Sequence, residues 1–516
     1  MCRFKRIVFL VGLLTVSLMV VSGGVFGQAP MAVVLATAQD MDNLDPHVTT
    51  MNSNMRLIYL IYDGLCQFGS DPSTVDPMLA TSWEASDDGL SWIFQLRNDA
   101  YFEDGTHFDS AVAKFSFERL LGVGGGPSSP YQVIEEILAP EPYTLKFILK
   151  EPFGPFIWTM CSVFCRIVPP NVMEHEEDGD WGQAWLADHS LGSGPFQLKS
   201  WEKGQRVVLE AKKDYWGGAP KLDQVIVRTI MEPATLKMEL LAGTIDMAVG
   251  SDILIEDLDE LIAAEGVEVF KAPSFHINYL YFDTQNPPFD DARVRKAVAY
   301  ALDYHALIDG IMKGWAVPHE GPVPIGMWGR DDRLDGLYTR RLPLARQLLA
   351  EAGYPDGFTT TFTLAPLGNW PQIATLVQSY LADIGITVKI EQYSWPTYIA
   401  MALGHEVELG IIGITPDYPD PDMFAWMLAH STSELNLPNY QSEEIDRILD
   451  EARTLSEQDE RDELYKEFHW LQHELVLAVY LYQDLFRQPM RTWVKGYYYN
   501  PNMQPLIPFQ DMWVER

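Results

Sequence analysis

Cysteine is scarce in this sequence, with 4 residues among 516. Cys2 precedes an apolar N-terminal run, so a processed chain would keep only Cys66, Cys161 and Cys165. An odd and widely spaced set does not form the disulfide framework that stabilises small secreted domains. We therefore expect packing to stabilise the fold, and Cys161 and Cys165 to form either one disulfide or two buried free thiols.

Basic residues are also few. The chain has 37 Lys and Arg compared with 72 Asp and Glu, which gives a formal net charge of -35. Such a charge repels a phosphate backbone and argues against nucleic-acid binding. Hydrophobic residues make up 47% of the chain, which is ample for folded domains. At 516 residues the chain is long enough for two or three of them.

Sequence motifs of catalysis are missing as well. Four His-Glu pairs lack the second His that zinc hydrolases carry on the same helical face; they begin at His175, His319, His405 and His473. The Gly-Ser-Gly sequence at 192–194 lacks the spacing of a nucleophile elbow. We therefore expect no metal, no cofactor and no enzymatic activity.

One apolar run stands out, at residues 7–21, with basic residues before it and small residues after it. Its length of about 15 residues is shorter than the roughly 20 that cross a bilayer as a helix. The pattern is typical of a secretory signal peptide, which we assign to residues 1–29, with cleavage after Gly27 or Ala29. No Cys follows the run, so we expect a periplasmic protein without a lipid anchor.

Hydrophobic periodicity predicts an α/β protein. Apolar and polar residues alternate at 92–96 and 145–149, the pattern of half-buried strands in a sheet-rich subdomain. Apolar residues recur at helical spacing over 290–310, which predicts one helix ending at the glycine. A βαβ-like passage follows within 344–391. The stretch at 122–130, rich in Gly, Pro and Ser, is predicted to be a flexible surface loop.

The densest acidic cluster, residues 417–422, alternates acidic residues with prolines. Proline fixes φ, so we expect a rigid, extended loop that displays one or two carboxylates at the edge of a domain. From spacing alone, three interpretations stay open. The carboxylates bind a ligand, they form a solvated acidic turn, or Asp417 and another acid form the catalytic pair of a secreted hydrolase.

Seven motifs occur in order along the chain: Leu44-Asp45-Pro46, Tyr62-Asp63-Gly64-Leu65, Leu79-Ala80-Thr81-Ser82-Trp83, Asp104-Gly105-Thr106, Ser193-Gly194-Pro195-Phe196, Asp214-Tyr215-Trp216-Gly217-Gly218 and Pro287-Pro288-Phe289-Asp290-Asp291-Ala292-Arg293-Val294-Arg295. From about Val33 to the C-terminus, the chain resembles family 5 of the extracellular solute-binding proteins of bacterial ABC transporters, which bind dipeptides, oligopeptides or nickel. The resemblance implies a two-lobed α/β clamshell of type II, cluster C, with an extra subdomain on lobe I.

The resemblance also implies domain boundaries. After the signal peptide, the predicted parts are 30–68 (lobe I), 69–190 (its subdomain), 191–285 (lobe I), 286–484 (lobe II) and 485–516 (lobe I). Residues 279–283 would belong to a strand that crosses between the lobes, and they are a hinge candidate.

In peptide-binding members of that family, an Asp in a Gly-Trp-x-x-Asp segment binds the α-amino group of the ligand. The resemblance aligns Asp417 with this anchor, whose carboxylate would make a charge-assisted hydrogen bond to an ammonium group. Ile414 replaces the Trp of the segment, which removes one aromatic wall. The adjacent Tyr418 belongs to the same candidate site.

Three further candidates rest on the same resemblance. Trp395 matches an aromatic pocket position and Asp63 an acidic one, although Asp63 is equally well explained as a turn carboxylate beside Gly64. Dipeptide binders carry an Arg for the ligand carboxylate in the segment that aligns with 362–371, which here has no basic residue. Trp370 lies in this segment. It either forms part of the pocket surface or packs in the core.

These features together predict the substrate-binding component of an ABC importer. We expect a monomer that captures an oligopeptide between its lobes and delivers it to permease subunits in the inner membrane. The missing arginine disfavours a strict dipeptide clamp. An oligosaccharide is the alternative ligand, because Trp370 and Trp395 offer flat apolar surfaces. A nickel complex or an opine, and a secreted hydrolase, are more distant alternatives.

Overall fold

A computed structural model of the protein describes residues 30–416 and 418–516. The predicted signal peptide, residues 1–29, lies outside the described residues. Residues Met31–Arg516 form one unit. In the described ranges, no helix combines the length and the apolar character that a membrane span requires.

Strands and α-helices are interspersed along the chain. The strands are β1 (Ala32–Thr37), β2 (Cys66–Phe68), β3 (Val75–Pro77), β4 (Ala80–Ala85), β5 (Ser91–Leu96), β6 (Ile134–Glu141), β7 (Thr144–Leu149), β8 (Phe196–Glu202), β9 (Arg206–Ala211), β10 (Gln224–Thr229), β11 (Met247–Ala248), β12 (Val267–Phe282), β13 (Ala316–Val317), β14 (Thr359–Leu364), β15 (Thr387–Gln392), β16 (Leu409–Ile414), β17 (Ala478–Arg491), β18 (Val494–Lys495) and β19 (Trp513–Val514). The α-helices are α1 (Asn52–Ile61), α2 (Ser110–Val123), α3 (Phe156–Thr159), α4 (Gln183–Leu186), α5 (Pro233–Ala242), α6 (Leu258–Ala263), α7 (Ala292–Ala301), α8 (Tyr304–Gly310), α9 (Leu342–Glu351), α10 (Trp370–Ala382), α11 (Trp395–Leu403), α12 (Pro421–Ala429), α13 (Glu443–Thr454) and α14 (Gln458–Leu475).

One mixed sheet of eleven strands runs through the described part of the chain. Its order is β15-β14-β16-β12-β17-β11-β1-β10-β9-β8, and β13 pairs with β17 beside this path. β1 is parallel to β10 and β11, while β14 is parallel to β15 and β16. We call the part around β1 and β8 to β11 the first lobe, and the part around β14 to β16 the second lobe.

Two long antiparallel strands, β12 and β17, join the lobes. β17 pairs with β11 of the first lobe at Met490, and β12 pairs with β16 of the second lobe from Ile277 onward. The register between β12 and β17 shifts between Pro273 and Ile277. The predicted crossing segment, residues 279–283, covers the second-lobe end of β12 and lies beyond this irregularity.

The βαβ passage predicted for the second lobe is confirmed. β14 and β15 pair in parallel, and α10 connects them. Ile373, Ala374, Val377 and Leu381 of α10 are buried, at the spacing of one helical face. They join the hydrophobic core of the second lobe, which the chain between residues 275 and 482 supplies.

The sheet-rich subdomain contains a separate antiparallel sheet in the order β4-β5-β7-β6. In β5 and β7, buried side chains alternate with more exposed ones, as the sequence predicts for 92–96 and 145–149. The buried side chains form a hydrophobic core with α2 that lies within residues 65–167. The limits of the lobes and of the subdomain stay predictions.

Two predictions of local structure are wrong. The helix predicted over 290–310 is divided into α7 and α8, because the side chain of Asp303 accepts a hydrogen bond from the backbone N–H of Ala306 and starts a new helix. The stretch at 122–130 is not a surface loop throughout, since α2 extends to Val123 and a 3₁₀-helix covers Gly126–Tyr131.

Cys66, Cys161 and Cys165 are buried free thiols. Burial raises the pKa of Cys165 to about 11 and also raises that of Cys161 well above its ordinary range. The thiolate is the reactive form of cysteine, so these residues act as small apolar groups of the core. Of the two alternatives for Cys161 and Cys165, the structure shows the free thiols.

The first lobe and its subdomain share a buried ion pair between Arg119 of α2 and Asp45. Nη1 and Nη2 of Arg119 donate to the two carboxylate oxygens at 2.9 and 2.6 Å. Nη1 also lies 2.9 Å from Nδ1 of His47, whose pKa burial lowers to about 3, so that the imidazole is neutral. Asp45 belongs to one of the seven motifs that the family resemblance rests on.

We predict that Arg119→Met lowers the free energy of unfolding by about 3 to 5 kcal/mol, because it leaves the Asp45 carboxylate buried without its partner. Urea unfolding followed by circular dichroism measures the change. Arg206→Met is the matched control, since Arg206 pairs with Glu202 at the surface, and its effect should stay below about 1 kcal/mol. Equal effects of the two substitutions would contradict the structural role of the buried pair.

Candidate functional site

Three adjoining cavities lie between the lobes, and we call them together the cleft. Asn52 and Gln504 of the first lobe and Thr415 of the second line both the polar and the middle cavity, each of about 270 Å³. Gly126 and Phe164 line both the middle cavity and the aromatic cavity, which has a volume of about 500 Å³. The cleft is therefore a continuous groove with chemically different ends.

The polar cavity is lined by ionisable side chains from α1 and from the two long strands, namely Arg56, His276, Asp484 and Arg487. Nδ1 of His276 is hydrogen-bonded to Oδ2 of Asp484. Nδ2 of Asn278 donates to the same oxygen at 3.3 Å. The carboxylate of Asp484 is thus held by two residues of β12.

Both arginines of the polar cavity are anchored through Nε to backbone carbonyls. Nε of Arg56 donates to Pro505 at 3.1 Å, and Nε of Arg487 donates to Gly250 at 2.9 Å. Burial lowers the pKa of Arg56 to about 10 and also lowers that of Arg487. At pH 7 the guanidinium of Arg56 therefore keeps its charge.

Gly413 allows the close approach of β16 to the polar side chains of β12. A Cβ atom at this position would lie 2.7 Å from Nε2 of His276 and 2.8 Å from Oδ1 of Asn278. Both distances are shorter than van der Waals contact, so any other residue would displace these side chains. The glycine of the 413–417 segment is thus required by the geometry of the polar cavity.

The aromatic cavity is lined by rings from the subdomain and from the second lobe. Phe153 and Phe164 come from the subdomain, and Tyr418 and Trp426 from the second lobe. The hydroxyl of Tyr418 donates to Oδ2 of Asp422 at 2.7 Å. This bond occupies the polar end of the tyrosine, and the four rings suit an apolar side chain of a ligand.

The subdomain and the second lobe touch beside the aromatic cavity. The backbone N–H of Gly154 donates to the carbonyl of Arg453 at 2.8 Å. The guanidinium carbon of Arg453 lies 3.9 Å from the ring centroid of Trp426 and 5.0 Å from that of Phe153. A Cβ at residue 154 would lie 2.2 Å from the carbonyl of Leu455. These contacts close this end of the cleft.

The predicted anchor, Asp417, lies outside the described residues. Its neighbours on both sides line the cleft: Thr415 the polar and middle cavities, Pro416 the middle cavity and Tyr418 the aromatic cavity. The structure thus brings the predicted loop and Tyr418 to the cleft. The role of Asp417 stays a prediction.

Trp370 and Trp395 lie together in the second lobe, with ring centroids 6.4 Å apart. Trp370 is 9% exposed and belongs to the hydrophobic core, whereas Trp395 is 41% exposed. Nε1 of Trp370 donates to Oδ1 of Asn278 at 3.2 Å, next to the polar cavity. Neither ring lines the three cavities. Contact of these rings with a ligand stays a prediction.

Asp63 lies away from the cleft and is fully buried in the first lobe. Its carboxylate accepts hydrogen bonds from Ser193 at 3.0 Å, Tyr215 at 3.0 Å and Nε1 of Trp216 at 2.8 Å. Burial raises the pKa of Asp63, and these three donors oppose the shift. Because its oxygens are engaged inside the lobe, the predicted ligand contact of Asp63 has no support. The carboxylate joins sequence motifs that lie about 130 to 150 residues apart.

Sequence analysis did not single out several residues that line the cleft. Phe153, Phe164 and Trp426 resemble any other aromatic residue of a core. Asp484 and Arg487 carried a signal, since they interrupt an otherwise largely apolar strand. Within residues 30–416 and 418–516, no cluster of three or more His, Cys, Asp or Glu side chains is arranged to hold a metal ion.

Comparison with known proteins identifies the family. The model for "Bacterial extracellular solute-binding proteins, family 5 Middle" matches residues 74–436. The chain belongs to this family. The predicted family and the predicted two-lobed α/β fold are thus confirmed.

The names of individual relatives of this solute-binding protein give different ligands. The chain is 32% identical over 489 residues to the probable D,D-dipeptide-binding periplasmic protein DdpA of Escherichia coli (strain K12), with 93% of each chain covered. It is 28% identical over 473 residues to heme-binding protein A of Haemophilus influenzae, covering 86% of this chain and 85% of the relative.

Among solved structures, the ABC transporter-associated periplasmic binding protein DppA from Helicobacter pylori in complex with the peptide STSA has a TM-score of 0.80. Its sequence is 29% identical, and the match covers 94% of this chain and 99% of that one. The family is thus shared over nearly the whole chain, while the ligand differs from member to member.

We predict that Asp63→Ala destabilises the first lobe without changing the affinity of the cleft for its ligand. The substitution leaves three buried donors without an acceptor, which should lower the free energy of unfolding by about 2 to 5 kcal/mol. Urea unfolding and isothermal titration calorimetry on the same preparation separate the two effects. A large loss of affinity in a stably folded variant would restore Asp63 as a ligand residue.

Proposed function

We infer that this protein is the periplasmic peptide-binding component of an ABC importer. It would bind a peptide in the cleft, enclose it between the two lobes and deliver it to permease subunits in the inner membrane. The predicted signal peptide supports export. The family supports a binding role rather than a catalytic one. We further propose that the protein acts as a monomer and does not bind nucleic acid, in keeping with its charge of -35.

The observation that carries the peptide assignment is the position of the loop around Asp417. The residues on both sides of it line the cleft. An ammonium group of a ligand in the middle cavity would thus lie near a carboxylate-bearing loop. Two family members support the same ligand class by their names, one for D,D-dipeptides and one for its complex with the peptide STSA.

The aromatic cavity explains how such a protein would accept a peptide side chain. Its rings, from Phe153, Phe164, Tyr418 and Trp426, offer apolar surface for a side chain. Charged side chains, among them Lys150, Glu151 and Arg453, line the same cavity. Ordered water between a side chain and the wall would tolerate different sizes. The main-chain charges of the peptide would then fix its orientation, and the aromatic cavity would select loosely among side chains.

An oligosaccharide, a nickel complex or opine, and catalysis by a secreted hydrolase remain as alternatives. The oligosaccharide gains little support, since Trp370 is largely buried and Trp395 lies outside the three cavities. One relative is named heme-binding protein A, so the identification of the ligand should also cover non-peptide compounds. Incubation with peptide and glycoside panels detects catalysis directly, and we expect no turnover.

Mass spectrometry of the material that co-purifies with the protein tests the proposed function. We expect peptides to be released on denaturation of the purified protein. The same measurement on ligand-stripped, refolded protein is the control for carry-over. Recovery of oligosaccharide, of a metal chelate or of a porphyrin in place of peptide would overturn the peptide assignment, while the family would stand.

We predict that Asp417→Ala weakens peptide binding by about 2 to 5 kcal/mol, because the ligand ammonium would lose a charged partner in a desolvated site. Isothermal titration calorimetry measures the change. Asp309→Ala is the matched control in the same lobe, since Asp309 lies exposed on α8, and its affinity should match that of the unmodified protein. Unchanged affinity of Asp417→Ala, with the fold intact, would refute the anchor role.

A further inference from the structure

The polar cavity holds two arginines whose outer nitrogens have no acceptor among the described residues. Arg56 is 6% exposed, and its Nη1 is buried without a hydrogen-bond partner. Beyond Nε, Arg56 and Arg487 donate no hydrogen bond to a described residue. Buried charged donors without an acceptor are costly and rare in native proteins. Nη1 of Arg56 is such a donor, and the partly buried Arg487 brings further unpaired nitrogens to the same cavity. The cavity therefore offers a site for an acceptor that the fold itself does not supply.

The carboxylates nearest to these arginines are engaged elsewhere. Asp484 is held by His276 and Asn278. Asp252, whose charge acts on both arginines, accepts hydrogen bonds from Thr37 and Ala38 through Oδ2. Neither carboxylate forms a salt bridge with Arg56 or Arg487 within the described ranges. The two guanidinium groups thus have no direct ion-pair partner there, and Asp252 and Asp484 act on them only at longer range.

The N-terminus of α1 adds to this charge. Asn52, the first residue of the helix, lines the polar cavity. The N-cap, Met51, offers no side-chain acceptor, and the first turn contains no acidic residue. The backbone N–H groups at such an end carry a partial positive charge and attract anions. α1 extends over ten residues, so its dipole acts together with the guanidinium of Arg56, which lies on the same helix.

We propose that the polar cavity binds a carboxylate of the peptide ligand, with Arg56 and Arg487 donating hydrogen bonds to its oxygens. This rests on the proposed peptide-binding function and adds the second charged anchor of the ligand. A planar guanidinium matches the two oxygens of a carboxylate, and the charge-assisted bonds are strong in a partly desolvated site. The clamp for the ligand carboxylate is thus in the first lobe, whereas the segment at 362–371, where dipeptide binders carry theirs, has no basic residue.

The polar cavity is lined by residues of both lobes. Thr415 of the second lobe lies at the same cavity as Arg56 and Arg487 of the first. A ligand bound there contacts both lobes, so binding favours their closed arrangement.

The test uses ligand-free protein and alanyl di- and tripeptides of L and D configuration, each as the free acid and as the C-terminal amide. We expect the free acids to bind at least about 30-fold more tightly than the amides by calorimetry. An Ala-Glu-Ala amide distinguishes the source of the carboxylate. If it binds as tightly as a free acid, the cavity accepts a side-chain carboxylate as well as the C-terminal one.

Arg487→Gln is the decisive variant, because Arg487 is only partly buried and the glutamine keeps a donor near Gly250. We expect it to weaken binding of the free acids by about 30-fold or more and to change the affinity for the amides by less than about threefold. Arg56→Lys should likewise weaken binding of the free acids much more than binding of the amides. Arg206→Gln is the control, since it removes the same charge from the surface of the first lobe.

Three results would overturn the inference. Equal affinity of acids and amides for the unmodified protein would exclude a carboxylate clamp and would leave the proposed function intact. If Arg487→Gln weakened binding of the free acids and of the amides equally, the arginine would have only a structural role. Absence of binding by every peptide form would refute the proposed function itself, and the inference with it.

Discussion

The antiparallel pairing of β12 with β17 is the interaction on which the rest of the structure depends. These strands are the only part of the main sheet order that lies between the strands of the first lobe and those of the second in the described ranges. They also supply His276, Asn278, Asp484 and Arg487 to the polar end of the cleft. The register shift after Pro273 lies next to these residues. The pairing that joins the lobes therefore also sets the geometry of the binding site, and a movement of one lobe against the other changes both.

The arginines of the cleft differ from the buried charged groups described inside the first lobe in lacking an acceptor for their outer nitrogens within the described part of the fold. Inside the lobes, the buried Arg119 is paired with Asp45, and the buried Asp63 accepts from three donors. At the polar cavity, the outer nitrogens of Arg56 and Arg487 have no such acceptor among the described residues. The contrast distinguishes Arg119 and Asp63, whose partners are within the fold, from Arg56 and Arg487, which we propose bind the ligand. Burial alone does not make the distinction, since Asp63 and Arg56 are both buried.

Much of the fold could be predicted from the sequence, because periodicity is a local property. The strands at 92–96 and 145–149 and the βαβ passage follow from it, whereas the break between α7 and α8 depends on one capping side chain, Asp303. The binding site was harder to predict from the sequence. The loop around Asp417 could be identified through the resemblance to a family, but Arg56 and Arg487 lie more than 400 residues apart in the chain. Only the strand pairing brings them to one cavity, and no local pattern encodes that.

A crystal structure of the protein with its co-purified ligand tests the proposed binding mode most directly. We expect a short peptide in the cleft, with its ammonium group hydrogen-bonded to Asp417 in the second lobe. Its carboxylate should lie within hydrogen-bond distance of Arg56 and Arg487 in the first lobe, and a side chain should occupy the aromatic cavity. A ligand without a carboxylate in the polar cavity, or one seated against Trp370 and Trp395 with Arg56 and Arg487 unused, would contradict it.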